Sequence, residues 1–211
     1  MATTINATTA SGLQVTSDNS GVIQFQQNGS NTVTIPAGTG TTAVQGVSTN
    51  IVIPGAQIST NTGSATPITL SSSIPSWVRR VTINLKSFGT NNTSIPLVRI
   101  GPSSGAVSSG YLSSGIALSS SVVSFATSTS GFPLTGQWSS SIALHGSMIL
   151  SLIDASTNTW VAIGTFGRSD SGGGSTMAGS ISLAGALFIV TLATTSGTDL
   201  FNNGTANILY E

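Results

Sequence analysis

The sequence predicts an all-β protein, in which an N-terminal β-hairpin segment for attachment or a stalk precedes an antiparallel jelly-roll-like β-sandwich. Three observations predict this fold class. Short runs of alternating apolar and polar residues recur along the chain. Turn-forming Gly, Asn, Asp and Ser residues separate these runs. No stretch joins a sustained 3.6-residue apolar period to good helix formers. Roughly eight or nine strands at this spacing are typical of a sandwich.

The longest apolar run, residues 178–192, predicts a central strand. Apolar residues occupy both of its faces if the alternation of faces shifts by one residue near Gly185. They are Ile181, Leu183, Leu187 and Ile189 on one face, and Phe188, Val190 and Leu192 on the other. A strand that is apolar on both faces is normally buried on both. Its glycines, serines and β-branched residues oppose a helix, and a membrane-spanning helix would need about 20 apolar residues.

The clearest alternation in the chain lies in the predicted strand 74–87. Val81, Ile83 and Leu85 would point inward, and Thr82, Asn84 and Lys86 outward. A turn at 88–92 would lead into a return strand at 97–100. The other strands predicted in the head are 67–70, 122–126, 142–153, 160–166 and 207–210, with polar loops at 101–115 and 169–176.

The N-terminal part of the chain predicts small hairpins. Short alternating runs at 13–15, 22–25 and 32–35 are separated by turn signals at 18–21 and at Asn28-Gly29. A single hairpin of this size is too small to be stable alone, so it would pack on another protein or on copies of itself. The predicted domains are therefore 1–57, an attachment or trimeric stalk segment, and 58–211, the sandwich head.

Charged residues are scarce. They make up 5% of the chain, against about 25% in ordinary soluble domains. The formal net charge is zero, and the mean hydropathy is +0.33. Since a soluble monomer needs a charged surface, we expect copies of the chain or a larger particle to cover much of it. Five basic residues are too few for a strong phosphate-binding surface, so neither nucleic acid nor a membrane is an expected partner.

No constellation of residues favours catalysis. His145 is the only histidine and has no acid near it in sequence. Asp154 and Asp170 could meet across a hairpin, but Asp154 lies in a turn-forming stretch. The G-x-S-x-G pattern at 101–105 lacks the helix that a nucleophile elbow requires. We therefore expect no catalytic residue, no metal site and no cofactor.

Two groups of residues are candidates for binding. Tyr111, in its Ser/Gly loop, and Trp138 are the candidates for stacking on a glycan, although aromatic residues of a sandwich more often belong to its core. Arg80, Lys86 and Arg99 form a candidate patch for an acidic partner or an anionic glycan. The alternative is that these three cations are the solvated face of one hairpin.

Three segments resemble tailed-bacteriophage virion proteins of the tail-fibre or tail-protein type. They are residues 1–35 (MATTINATTASGLQVTSDNSGVIQFQQNGSNTVTI), 74–85 (IPSWVRRVTINL) and 197–211 (GTDLFNNGTANILYE). The resemblance implies a homotrimeric structural protein of the virion, assembled in the host cytoplasm. Its N-terminal segment would bind other virion proteins, and its β-sandwich head would project.

Three functions remain open at this point. The first is a short trimeric fibre or spike whose head contacts host surface glycans, with avidity from three linked weak sites. The second is a capsid decoration (cement) protein that stabilises the head shell. The third, disfavoured by the isolated His145 and the missing acid pair, is a polysaccharide-modifying enzyme.

Overall fold

The computed structural model describes two N-terminal strands, residues 53–119 and residues 121–211. The chain divides into two units, Met1–Asn50 and Ile51–Glu211. In the first unit, β1 (Ile23–Gln27) pairs antiparallel with β2 (Ser30–Ile35).

Several predictions for the N-terminal segment lie outside the described residues. They concern the run at 13–15, the turn at 18–21 and the turn at Asn28-Gly29. The hairpin prediction for this segment stays a prediction.

The second unit, the head, contains only strands, turns and loops in its described residues. Its strands, in chain order, are β3 (Ile53–Pro54), β4 (Ile58–Ser64), β5 (Ile68–Ser71), β6 (Arg80–Thr90), β7 (Pro96–Gly101), β8 (Leu112–Ser119), β9 (Val123–Ser128), β10 (Phe132–Pro133), β11 (Leu144–Asp154), β12 (Thr159–Arg168), β13 (Gly173–Ser182), β14 (Ile189–Thr194) and β15 (Phe201–Tyr210). The all-β prediction is confirmed for the described residues. None of these residues belongs to a helix long and apolar enough to cross a membrane.

The head is built from two antiparallel sheets. The nine-stranded sheet has the order β3-β15-β6-β11-β12-β13-β8-β9, with β4 also paired to β15. The four-stranded sheet has the order β10-β7-β14-β5. Its edge strand β10 contacts β8 and β13, and its other edge strand β5 contacts β15. The smaller sheet therefore lies across the larger one, as in a sandwich.

The predicted domain boundary near residue 57 falls between β3 and β4. Both of these strands pair with β15.

The apolar run 178–192 is divided between the two sheets, so the prediction of one central strand is wrong. Its first part belongs to β13, and its last part forms β14 in the other sheet. The chain crosses between the sheets at 183–188, around the predicted slip at Gly185, with Leu183 and Leu187 buried. Both strands are inner strands of their sheets. Burial on both faces holds for β14, from Val190 to its end.

The predicted return strand 97–100 is also placed differently. It forms β7, which pairs with β14 and β10 in the four-stranded sheet, whereas β6 pairs with β15 and β11. The predicted turn at 88–92 begins too early, because β6 continues to Thr90. A strand buried along nearly its whole length, as β7 is, gains more between two other strands than at the edge of a hairpin.

The alternation predicted for β6 is confirmed. Val81, Ile83 and Leu85 are buried, and the residues between them face outward. The predicted strands 142–153 and 160–166 correspond to β11 and β12, which pair as an antiparallel hairpin with Leu150 opposite Ala162.

Two predicted loops are partly strand. β8 begins at Leu112, within the predicted loop 101–115, and β13 begins at Gly173, within the predicted loop 169–176. Both segments are rich in Ser and Gly, and each pairs with the other in the sheet.

Aromatic rings fill the space between the sheets. The Phe88 ring centroid lies 6.0 Å from that of Trp138 and 6.0 Å from that of Phe201. Tyr111 and Phe132 pack edge to face with centroids 4.9 Å apart, a geometry favoured by the ring quadrupoles.

Candidate interaction surface

Tyr111 lies in the core, so its predicted exposure to a glycan is wrong. Its side chain is 0% exposed. The hydroxyl accepts a hydrogen bond from the backbone N–H of Ile100 at 2.8 Å and lies 3.1 Å from the carbonyl oxygens of Ile100 and Val107. Burial raises the pKa of Tyr111 to about 12, because the phenolate loses its solvation. The Tyr111 hydroxyl thus bonds both to β7, through Ile100, and to the loop 101–110, through Val107.

Trp138 is buried as well, and its predicted surface role is likewise wrong. It is 4% exposed, and its Nε1–H donates to Thr90 Oγ1 at 2.6 Å. Buried indole N–H groups usually find such a partner. Neither aromatic candidate is available to stack on a sugar at the surface.

The three candidate cations do not form one patch. Arg80 and Lys86 share the outer face of β6 but stand six residues apart, or about 20 Å along the strand. Arg99 is on β7 in the other sheet, where its Nε donates to the carbonyl oxygen of Ser130 at 2.7 Å. Arg80 Nη1 lies 3.4 Å from Glu211 Oε2.

His145 contacts a serine through one ring nitrogen and a backbone N–H through the other. Its Nε2 lies 2.9 Å from Ser169 Oγ, and its Nδ1 accepts from the backbone N–H of Ser87 at 3.4 Å. The tautomer that the contact with Ser87 favours has its proton on Nε2 and donates to Ser169.

The two candidate carboxylates have local structural roles. Asp154 accepts hydrogen bonds from Ser156 and Thr157 in the β11–β12 turn, and these bonds lower its pKa to about 2. Asp170 accepts from Arg168, which lowers the pKa of Asp170 below its ordinary value. Among the described residues, no group of three His, Asp or Glu side chains could hold a metal ion.

Several exposed apolar side chains lie next to one another on strands that the sequence only partly predicted. Residues opposite each other in the register share a face of the sheet, and the pairs of β8 with β9 place Ile116 opposite Phe125 and Leu118 opposite Val123. We call the surface made by Leu112, Ile116, Leu118, Val123 and Phe125 the β8–β9 outer face. Leu112 is 74% exposed and Phe125 is 72% exposed.

This surface continues across the sheet onto β12. Ile116 pairs with Thr176 on β13, and Thr176 pairs with Thr165 on β12. In the next row, Ile163 is 60% exposed and pairs with Ala178. Only apolar, small or hydroxyl-bearing side chains occur in these rows. The chain has no Asp, Glu, Lys or Arg between Arg99 and Asp154, and none in β13.

The inner face of β8 and β9 carries only small side chains. They are Ser113, Gly115, Ala117, Ser124, Ala126 and Ser128. The segment from Leu134 to Gly136 runs directly beneath these strands. A Cβ on Gly115 would lie 2.9 Å from the Thr135 carbonyl oxygen, and one on Gly136 would lie 2.1 Å from the Ser124 carbonyl oxygen. The close approach of this backbone leaves no room for large inward side chains, so the large apolar side chains of β8 and β9 point outward.

The β8–β9 outer face ends at an edge strand. β9 is the last strand in the order of the nine-stranded sheet. Its sequence, VSFATS, has none of the Lys or Pro residues that usually protect a sheet edge from pairing with another chain.

Comparison with protein-family models, with curated proteins and with solved structures finds no match to this chain.

Proposed function

We propose that the chain is a non-enzymatic structural protein of a tailed-phage virion, and that its head is held in the assembly by the β8–β9 outer face. The observation that carries this proposal is the exposure of large apolar side chains, without a single charge, beside an unprotected edge strand. Exposed apolar surface of this kind marks sites of protein association. The resemblance of residues 1–35, 74–85 and 197–211 to tail proteins supplies the virion context.

The partner proposed for this face is another copy of the chain. A neutral apolar surface fits a second neutral apolar surface without desolvating an unpaired charge. Five strands from β11 to β9, about 4.8 Å apart and about seven residues long, give about 500 Å² per copy. A stable pair of proteins buries about 800 Å² per partner. One such contact is therefore too small alone, so the N-terminal segment has to help hold the copies together, and the resemblance to tail proteins implies that three copies associate.

Between the two structural roles, the burial of Tyr111 and Trp138 favours capsid decoration over glycan attachment. Tyr111 and Trp138 are core residues, so the two side chains that the fibre or spike hypothesis assigned to glycan stacking are not exposed. Both roles need a surface that packs on protein, and the β8–β9 outer face offers one. We therefore propose decoration of the capsid as the leading role and a short fibre as the second.

Light scattering of the full chain tests the assembly proposal. The wild-type protein should have three times the 21.1 kDa mass of one chain. Phe125→Lys places a charge on the β8–β9 outer face, so it should yield monomers. Thr62→Lys is the matched control and should remain trimeric. Thr62 is exposed on β4, which pairs with β15 near the opposite edge of the nine-stranded sheet from β9. A wild-type monomer at high concentration would contradict the proposal.

Cryo-electron microscopy of the particle separates the two roles. Decoration requires density on the capsid shell, and particles that lack the protein should burst at lower temperature. A fibre or spike requires density on the tail. Polysaccharide cleavage that is lost in His145→Ala would instead support the enzyme.

A further inference from the structure

β9 is the longest regular sheet edge among the described residues. It pairs with β8 through six consecutive residues without a register shift, and it has no second neighbour in the sheet. The other described edges are short or irregular. β3 and β10 have two residues each, one of them a proline, and both β4 and β5 pair with register shifts. Short length, proline and irregularity normally protect an edge from pairing, and β9 has none of these features.

The main chain of β9 offers six unpaired hydrogen-bonding groups. The turn between β8 and β9 is closed by a bond from the Ser119 N–H to the Val122 carbonyl oxygen at 3.0 Å. Opposite residues of an antiparallel pair alternate between bonded and non-bonded pairs, so Val123, Phe125 and Thr127 belong to non-bonded pairs with β8. Their N–H and C=O groups therefore point away from β8, and none of these groups has a partner among the described residues.

The six groups are complementary to those of a second copy. Val123 and Thr127 lie two residues to either side of Phe125. A two-fold axis through Phe125 therefore places Phe125 opposite its own copy and Val123 opposite Thr127 of the second copy. Each of the three opposed pairs then exchanges two main-chain hydrogen bonds. A pairing shifted by two residues would leave one of the three residues unpaired in each copy, so the centred pairing satisfies the edge best.

The side chains of β9 permit the same arrangement. The outer faces of the two copies would be continuous, and the two exposed Phe125 rings would be cross-strand neighbours, a pairing that stabilises sheets. The opposite face of β9 carries Ser124, Ala126 and Ser128, which are small enough to lie beside the same residues of a second copy. Neither β8 nor β9 has a charged residue, so no like charges of these strands would meet.

We propose that β9 pairs antiparallel with β9 of a second copy, about a two-fold axis through Phe125, and joins two nine-stranded sheets into one. This contact uses the main chain of the edge, so it links neighbouring trimers of the proposed assembly in addition to the packing of the β8–β9 outer face. Main-chain bonds replace bonds to water, so their net gain is small, and association costs rotational and translational freedom. The link is therefore weak between free copies, and it rests on the proposed function in that a particle holds the copies side by side.

Cysteine cross-linking of the full chain tests this pairing, because the chain itself has no cysteine. Val123→Cys and Thr127→Cys, at two exposed positions, should form a mixed disulfide when they are oxidised together at about 1 mM chain. Their Cα atoms would lie about 5.5 Å apart, within the span of a disulfide. In either variant alone, the cysteines of two copies would be displaced by about 13 Å along the strand. The mixture should therefore cross-link at least about tenfold faster than either variant alone.

A proline at the position of the axis supplies the blocking variant. Phe125→Pro, added to both cysteine variants, removes the central N–H of each copy and should lower the cross-linking rate at least about tenfold. It should leave the melting temperature of the head nearly unchanged, because this N–H has no partner among the described residues of the head. Phe125→Val keeps the N–H and should keep the cross-link, which makes it the matched control.

Hydrogen exchange in the wild type tests the pairing without any substitution. The Phe125 amide should exchange several-fold more slowly at high than at low protein concentration. The Ala126 amide, which faces Gly115 of β8 in a bonded pair, should be protected at both. Leu112→Lys places a charge on the β8–β9 outer face away from the axis, so it should abolish the trimer and keep the mixed cross-link. Failure of the assembly proposal and failure of this one are therefore distinguishable.

Two results would overturn the pairing of β9 with a second copy. One is an equal cross-linking rate in the mixture and in the single variants, or a Phe125 amide that exchanges equally fast at all concentrations. The other is protection of the Phe125 amide on the particle without a mixed cross-link, which would assign the edge to a different virion protein.

Discussion

An inner strand of the nine-stranded sheet, β6, and the strands β8 and β9 at one edge distribute their side chains in opposite ways. On β6, large apolar residues face the core and the outer face carries Arg80, Lys86 and polar residues. On β8 and β9, small residues face inward and the β8–β9 outer face carries Leu112 and Phe125. β6 and the pair β8 and β9 all follow the two-residue period of a strand. The difference shows that alternation alone does not identify the face that packs on the core. The room available between that face and the neighbouring backbone determines which side chains it can carry.

The largest expected contrast is between an inner and an outer aromatic side chain. Trp138→Ala should lower the free energy of unfolding by about 3–5 kcal/mol, because it leaves a cavity and an unpaired Thr90 hydroxyl. Phe125→Ala should change it by less than about 0.5 kcal/mol in the monomer. Urea denaturation at low protein concentration measures both. A large loss in Phe125→Ala would place that ring in the core and remove the contrast.

The small inner residues of β8 can be tested directly. Gly115→Val should destabilise the head by about 1–3 kcal/mol, since its Cβ would meet the Thr135 carbonyl oxygen at 2.9 Å. Ser114→Val, on the exposed outer face one residue earlier, should be neutral or slightly stabilising because Val favours strands. Thermal unfolding of both variants measures the difference, and equal melting temperatures would contradict a close backbone beneath β8.

Tyr111→Phe sharpens the distinction between core and surface. It leaves the Ile100 N–H without its acceptor and should cost about 1–2 kcal/mol at neutral pH. The pKa of Tyr111 is raised to about 12 in the folded state, above its ordinary 10. The neutral phenol therefore stabilises the fold fully below pH 10, and this contribution is lost as pH rises from 10 to 12.

The wild type should accordingly lose stability over that alkaline range more steeply than Tyr111→Phe does. Chemical denaturation at pH 9 and pH 11 makes the comparison. Parallel losses in the two proteins would mean that the hydroxyl titrates as an exposed one does.

The smallest expected effect concerns the ion pair of Asp170 with Arg168. Because the folded-state pKa of Asp170 is lowered, its carboxylate contributes stability above the unfolded-state pKa of about 4, and this contribution is lost as pH falls further. Asp170→Asn should cost at most about 1 kcal/mol at neutral pH and should flatten the acid dependence of stability. An unchanged acid profile, measured by urea denaturation from pH 3 to 7, would contradict this role.

The sequence predicted those parts of the head in which local pattern and tertiary environment agree. The alternation of Val81, Ile83 and Leu85 marks a strand with one buried face, and the Asp154 turn joins two strands of similar length. The pairing of β7 with β14 is non-local, and no local pattern encodes it. Leu112, Ile116 and Leu118 also alternate at the strand period, but their Ser and Gly neighbours are typical of loops, which concealed β8.

The candidate surface was less predictable than the fold. Tyr111 lies in a Ser/Gly-rich stretch, which is typical of an exposed loop. Its hydroxyl bonds the backbone of Ile100 in β7, and this contact between two segments has no pattern in the sequence. The available signal was the absence of charge between Arg99 and Asp154, which pointed to covered surface without locating it.

The crossing at 183–188 links the two sheets mechanically. One short covalent span supplies an inner strand to each sheet, and Leu183 and Leu187 anchor it at both ends. Separation of the two sheets would remove an inner strand from one of them, so we expect that neither sheet unfolds while the other stays intact. The head should therefore lose its structure in one all-or-none step.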